Sequence, residues 1–214
     1  VERQTAVASG SRTIVLGDGV GIIGGRLRAK NNENLRAALN NNNLGDVLSE
    51  AIEQRMAGAD ILAINVDIPN TDEKITLPNM VREIQGVVNL PLQLESCHAA
   101  ALEAGARVYN GKPLIRWAGG SSDSMRSIFH IVKKYGACIV GLTVDDKSAA
   151  TSCAHCLKIA KRIVHEAQDY GIPKEDIIID CVIEDALAHP NKIMEKLEAI
   201  RRIKGELGVK TTME

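Results

Sequence analysis

The sequence predicts an α/β protein built on a parallel sheet and, among parallel architectures, a (β/α)8 TIM barrel. Three observations carry this. Short β-branched runs alternate with longer amphipathic runs along the whole chain, the rhythm of right-handed βαβ units. The run Ile61-Leu62-Ala63-Ile64-Asn65-Val66 is nearly continuous in apolar character, as strands covered on both faces are. Polar residues gather where the runs end: Asn65 and Asp67, Glu95 and Ser96, Arg116, Thr143 and Asp145, and Asp180. A barrel collects such ends at one mouth, where its chemistry sits. Residues 19–24 do spell G-x-G-x-x-G, but no helical pattern follows directly, so the context of a dinucleotide fingerprint is missing.

Taken in order, Thr13-Ile14-Val15-Leu16 reads as the first strand and runs into a glycine-dense stretch, residues 17–25. Asn31-Asn32 and the asparagine patch at 40–43 read as a solvent-exposed connection. Val47, Ala51, Ile52 and Met56 keep helical spacing over 46–56, and Gly58 reads as the C-cap. Residues 61–66 form the second strand, 78–87 a helix, 91–95 the third strand, and 98–104 a helix ending at Gly105. Residues 113–117 are the fourth strand, and a turn at 119–123 caps a helix that reaches Tyr135-Gly136. The fifth strand covers 138–143, followed by a long helix over 152–170 that stops at Gly171. The sixth strand is 177–180, the next helix 191–204, and 209–212 begins a seventh strand. A barrel usually needs about 250 residues, and this chain has 214, so the barrel is expected to be C-terminally incomplete, about two units short. A single domain spanning 1–214 is the expectation.

Composition narrows the function classes. Twenty-six basic residues face 27 acidic ones, so no basic surface advertises nucleic acid. One Trp, three Tyr and one Phe leave an aliphatic core and no platform for base stacking. No apolar run approaches the roughly 20 residues of a membrane span, and Val1-Glu2-Arg3-Gln4 lacks the pattern of a signal peptide. An odd set of five cysteines suits a reducing compartment. The expectation is a soluble cytoplasmic protein with no nucleic-acid and no membrane partner.

Several segments then carry a resemblance. Gly58-Ala59-Asp60-Ile61-Leu62, Leu94-Glu95-Ser96, Ala101-Leu102-Glu103-Ala104-Gly105, Val108-Tyr109-Asn110-Gly111-Lys112-Pro113-Leu114-Ile115 and Glu175-Asp176-Ile177-Ile178-Ile179-Asp180 resemble the pterin-binding barrel family. Within it the chain looks most similar to methyltetrahydrofolate:corrinoid-protein methyltransferases; dihydropteroate synthase and the folate domain of methionine synthase are more distant relatives. The likeness covers about residues 13–213. It implies a (β/α)8 barrel, a homodimer, methyltetrahydrofolate as substrate (tetrahydrofolate as product), and a corrinoid (cobalamin) carried by a partner protein. The implied reaction moves the N5 methyl to Co(I); the rival reading is a degenerate paralogue that scaffolds a corrinoid protein.

Matching the family's motifs assigns pterin contacts to Asn65, Glu95, Arg116 and Asp180, of which Asp180 matches the carboxylate that accepts the donor edge of the ring. Ser96, His98, Thr143 and Asp145 are the further mouth-lining candidates; no metal site and no catalytic residue is assigned. The chain departs from the family at several of these places. The Gly-Glu-Arg-Ile-Asn-like segment expected after strand one has no match in Gly17-Asp18-Gly19-Val20-Gly21, and Ala63 stands where an Asp is usual. Glu95 replaces Asp, Arg116 replaces an uncharged Asn, and Cys181 replaces Pro. The family's Asn after strand seven, placed to bond N5, falls past Glu214. Arg116 beside Glu95 predicts an ion pair across adjacent strand ends that fills the pocket and weakens pterin binding; the opposing expectation is that Arg116 accepts a more anionic ligand.

Of the remaining motifs, Cys153-Ala154-His155-Cys156 lacks the second ligand pair of a zinc site and reads as surface cysteines at a helix start, with redox and metal readings behind it. His98 is either a general acid at the mouth or an ordinary first-turn residue. Cys97 and Cys181 flank site residues and read as lining the mouth, in packing or ligand contact rather than as nucleophiles. His130, His165 and His189 read as surface positions, and Asp145-Asp146-Lys147 and Glu184-Asp185 as solvated loops, with contact to a corrinoid partner as the alternative.

Overall fold

A computed structural model describes residues 3–17, 19–41, 43–117, 122–144, 150–182 and 190–213. Of the expected turn at 119–123, residues 119–121 lie outside the described residues and 122–123 already belong to a helix; Asp145-Asp146-Lys147, Glu184-Asp185 and His189 also lie outside them.

The chain opens with an antiparallel hairpin, β1 (Ala6–Ala8) against β2 (Thr13–Val15). This corrects the first expected strand: Thr13-Ile14-Val15 belongs to the hairpin and not to the barrel. The parallel sheet starts inside the glycine-dense stretch, with β3 (Ile23–Arg28). It continues in chain order through β4 (Ile61–Asn65), β5 (Leu92–Ser96), β6 (Leu114–Trp117), β7 (Cys138–Leu142), β8 (Ile177–Asp180) and β9 (Lys210–Thr212), seven parallel strands curled into an open barrel. Among the described residues the two outer strands, β3 and β9, are not paired with each other. The expected seventh strand is thus formed, and among the described residues the sheet is one strand short of a closed eight-stranded barrel.

β3 was hidden because Gly24 and Gly25 depress strand propensity. The structure explains Gly24: a Cβ there would lie 2.5 Å from Gln54 Oε1, the atom that accepts the Arg26 N–H at 3.1 Å. A shift in the β3–β4 register between Gly24 and Leu27 accompanies this approach.

Helices cover the outside of the sheet. The asparagine connection is more ordered than expected. Asn32 caps α1 (Glu33–Asn40) by accepting the Leu35 N–H at 3.1 Å, and α2 (Leu44–Met56) follows almost at once. α3 (Glu73–Val87) begins a turn before Pro78, because Asp72 caps it upstream and accepts the Lys74 N–H. α4 (Ala99–Val108) runs through Gly105 instead of stopping there. A Cβ on Gly105 would press on Leu77 and Leu94 at 3.3 Å, so this glycine serves close packing of helix on strand. α5 (Ser122–Tyr135), α6 (Cys153–Asp169) and α7 (Pro190–Leu207) complete the layer. Ser152 caps α6 by accepting the His155 N–H, and Gly171 ends the turn behind it at φ 80°. No helix among the described residues is long and apolar enough to cross a membrane.

Two apolar clusters follow from strand alternation. Ile61, Leu114, Cys138, Val140 and Ile178 fill the barrel interior and are met from below by Val7 of the hairpin. The larger cluster lies between sheet and helices, with Leu62, Leu94, Ile115, Phe129, Ile139 and Ile179 among its members. At the floor Ala8 bridges to Lys112, and Asp176 accepts from Arg3 Nη2 and Lys112 Nζ, each at 2.6 Å. Position 111 must be glycine: φ is +121° and a Cβ would sit 2.3 Å from the Ala8 carbonyl oxygen.

Candidate functional site

Register brings the candidate residues together. Arg28 pairs with Asn65, Asn65 with Glu95, and Glu95 with Arg116, so the first four strands end in one row. Asp180 is level with Leu142 on one side and Thr212 on the other. Arg116 and Asp180 line a cavity of about 110 Å³ with Arg28, Gln93, Thr212 and Met213. A larger hollow of about 340 Å³ lies toward the floor, bounded by Leu16, Ile61, Leu114, Val140 and Ile178. Its inner wall is aliphatic and its rim carries Asp60, Lys204 and Lys210, whereas Arg28, Gln93, Arg116 and Asp180 face the smaller cavity.

The expected ion pair between Glu95 and Arg116 does not form, although the two are Cα partners. Glu95 is held by Arg28, with Nε on Oε2 at 2.9 Å and Nη2 on Oε1 at 2.6 Å, the two-point fork that suits a guanidinium and a carboxylate. Gln93 Nε2 adds a third bond to Glu95 Oε1 at 2.6 Å. Arg116 instead reaches past β7 and donates from Nη2 to Asp180 Oδ2 at 3.0 Å. The reason is reach: Arg28 approaches Glu95 from the opposite side of the barrel row, and its fork satisfies both carboxylate oxygens. Both pairs are nearly dry, with side-chain exposures of 14% and 6% for Arg28 and Glu95, and 15% and 1% for Arg116 and Asp180.

Arg28 is the site residue that sequence reasoning missed. With the first strand placed correctly, Gly24-Gly25-Arg26-Leu27-Arg28 lines up with the Gly-Glu-Arg-Ile-Asn-like segment, and Arg28 stands where that pattern has Asn. The signal was present as G-x-R-x-x after an apolar pair.

The other candidates fall into place unevenly. Asn65 turns its Oδ1 onto the Asp67 N–H at 2.9 Å, stabilising its own loop. Ser96 is buried and accepts the His98 N–H at 2.9 Å, an arrangement that aims the start of α4. His98 occupies the N-cap of α4, 70% exposed, with Nε2 3.5 Å from Oε1 of the buried Glu73. Thr143 is fully buried and does not open on the cavity; its N–H and hydroxyl both donate to the Asp180 carbonyl, at 2.9 and 3.1 Å. It fixes the backbone of the Asp180 strand end. Asp145 lies outside the described residues.

The cysteines correct two expectations. Cys153 and Cys156 are buried against the sheet rather than on the surface. Cys181 also points outward to this helix-side core, so it does not line the mouth. Burial pushes its thiol up to about 12, which leaves it protonated and inert at neutral pH. Cys97 is exposed, and its thiol is raised by partial burial and by the carboxylates of Asp67 and Glu73. No group of three or more His, Cys, Asp or Glu among the described residues is arranged to hold a metal ion.

Comparison with known proteins identifies the class. The sequence profile described as pterin binding enzyme matches residues 24–213, nearly the whole barrel and starting one residue into β3. The chain belongs to the pterin-binding enzyme family. Among curated proteins, the methionine synthase of Mycobacterium leprae (strain TN) is 25% identical over 193 residues, covering 86% of this chain and 16% of its own length. The methionine synthase of Mycobacterium tuberculosis (strain ATCC 25618 / H37Rv) is 24% identical over the same shares. The chain therefore spans about a sixth of the length of the curated relatives it matches. Among solved structures, dihydropteroate synthase of Xanthomonas albilineans with 4-aminobenzoic acid superposes at a TM-score of 0.76 and 14% identity, over 98% of this chain and 76% of that one. The dihydropteroate synthase of Thermus thermophilus gives a TM-score of 0.67 at 16% identity, over 97% and 76%. At such identity the likeness shows the fold alone, the (β/α)8 barrel, of which the described residues form seven parallel strands.

Proposed function

We propose that this pterin-binding domain, a single barrel unit over 1–214, holds methyltetrahydrofolate at the barrel mouth and presents its N5 methyl to the Co(I) of a corrinoid protein. The observation that carries the reading is Asp180: a carboxylate at a parallel strand end, 1% exposed, facing the mouth cavity from a barrel of pterin-binding type. A buried carboxylate accepts the amino and ring N–H groups of a pterin edge and fixes the ring plane. Methionine synthases are among the relatives by sequence, which favours a methylated folate over other pterins.

In this reading Asp180 orients the ring, Asn65 and Glu95 line its path, and Arg116 gives up its bond to Asp180 when the pterin edge takes the carboxylate. The corrinoid supplies a strong nucleophile, and the protein's share is positioning and exclusion of water. The departing amine needs a proton or hydrogen bond at N5, and none of the described residues is assigned that role.

A second reading has its own observation. Arg28 holds both oxygens of Glu95, and Arg116 pairs with Asp180, so each carboxylate already has an internal cation, which suits a barrel that scaffolds a corrinoid protein without turnover. Two measurements separate them. Calorimetry with tetrahydrofolate should give micromolar binding, and methyltetrahydrofolate should discharge the absorbance of reduced cobalamin when protein is added. Binding without methyl transfer favours the scaffold; absence of binding removes the pterin reading.

A further inference from the structure

Gln93 is the feature that neither the family motifs nor the proposed pterin contacts absorb. It sits on β5 one inward position below Glu95, opposite Ala63 on β4 and Leu114 on β6, and is 2% exposed. Its carboxamide is oriented without ambiguity. Nε2 donates to Glu95 Oε1 at 2.6 Å, and because a carboxylate can only accept, the nitrogen must be on that side and Oε1 on the other. That oxygen is buried and has no hydrogen-bond partner among the described residues. It belongs to a residue that lines the same cavity as Asp180, Arg116 and Thr212.

Buried carboxamide oxygens are ordinarily satisfied, and leaving one orphaned costs about 1–3 kcal/mol. Aliphatic side chains fill most of the layers below, so a glutamine here is chemically costly unless a ligand completes it. The chemistry of the completing group is set by the surroundings. It must be an N–H or O–H donor, since Oε1 accepts. It must be compatible with carboxylates at Glu95 and Asp180, so it carries several donors on one edge. A 2-amino group next to a ring N–H meets this need. One amino hydrogen and the ring N–H go to a carboxylate, and the second amino hydrogen remains for a neutral acceptor deeper in the barrel.

We infer that Gln93 is a specificity-determining binding residue whose Oε1 accepts the remaining 2-amino hydrogen of the bound pterin, making the site select for 2-amino heterocycles. This rests on the pterin reading and adds a contact to it. Gln93 also steers Glu95, because its Nε2 shares Oε1 with Arg28. Loss of the side chain alone would therefore confuse a structural with a binding role, and the test has to compare ligands as well as proteins.

The experiment is a cycle between residue and ligand. Calorimetry measures tetrahydrofolate and its analogue with hydrogen in place of the 2-amino group, against wild type and Gln93→Met, which keeps an unbranched stem of similar size. The ratio of the two affinities is the readout, because a general distortion of the site weakens both ligands together. Wild type should prefer the 2-amino ligand by a ratio about tenfold larger than Gln93→Met does. Gln93→Asn, whose amide is drawn back by one carbon, should lose most of the same preference and serves if the methionine variant does not fold. An unchanged ratio in whichever variant folds overturns the inference while leaving the pterin reading intact. Failure of wild type to bind tetrahydrofolate overturns both.

Discussion

The floor and the mouth of this barrel use the same side chains for opposite purposes. At the floor, both oxygens of buried Asp176 are bonded, Oδ2 by Arg3 and Oδ1 by Lys112 with the Cys138 thiol beside it, and the interior around it is mostly aliphatic. At the mouth, two arginines meet two carboxylates, but Gln93 adds an acceptor that no described residue completes. The floor is closed electrostatically and serves stability. The mouth carries polar capacity beyond its internal needs, and that surplus marks where a ligand belongs.

The comparison can be broken at its strongest point first. Asp176→Ala should lower unfolding free energy by about 3 kcal/mol, at the low end for a buried pair because Arg3 and Lys112 can still reach water. It should leave tetrahydrofolate affinity nearly unchanged; urea unfolding and calorimetry check both halves. Asp180→Asn, which keeps an acceptor for Arg116, should do the reverse, with affinity falling about a hundredfold, or ~2.7 kcal/mol, while the denaturation midpoint moves less than in Asp176→Ala. If each variant damaged stability and binding alike, the division between floor and mouth would not stand.

Arg116→Asn restores the family's uncharged amide and frees Asp180 for the pterin edge, so tetrahydrofolate affinity should rise about tenfold by titration. A fall would mean that Arg116 itself holds the ligand. The smallest effect concerns alkaline pH. Burial pushes the Cys138 thiol and the Tyr109 phenol each up to about 12, from ordinary values of 9.0 and 10.0. The unfolded chain releases these protons first, so both groups contribute full stability below pH 9 and lose it as pH rises toward 12. Thermal midpoints should therefore decline over that window, and Tyr109→Phe should flatten part of the decline.

Much of the sheet was legible. Ile61-Leu62-Ala63-Ile64 and Ile177-Ile178-Ile179 are apolar on both faces, and such runs leave few alternatives to a covered parallel strand. The first barrel strand was not, because Gly24-Gly25-Arg26 lacks the β-branched signal and the decoy Thr13-Ile14-Val15 has it. That one displacement also hid Arg28. The neighbour relation of Glu95 and Arg116 was correctly expected, since register follows from strand order. Their actual partners were not, because Arg side chains span more than one strand spacing and choose by geometry that sequence does not contain. Cys153 and Cys156 were misplaced for a related reason: a helix start is usually exposed, but here α6 begins already tucked against the sheet.

The bond between Arg3 and Asp176 joins residues 173 positions apart. Contacts so distant along the chain close late, after local βα units have gathered. Arg3 is made 173 residues ahead of Asp176, so it cannot dock until the turn that leads into β8 has been made. This ionic latch therefore ties the segment ahead of the hairpin to the turn that leads into β8, and it can close only after β3 to β7 have been made.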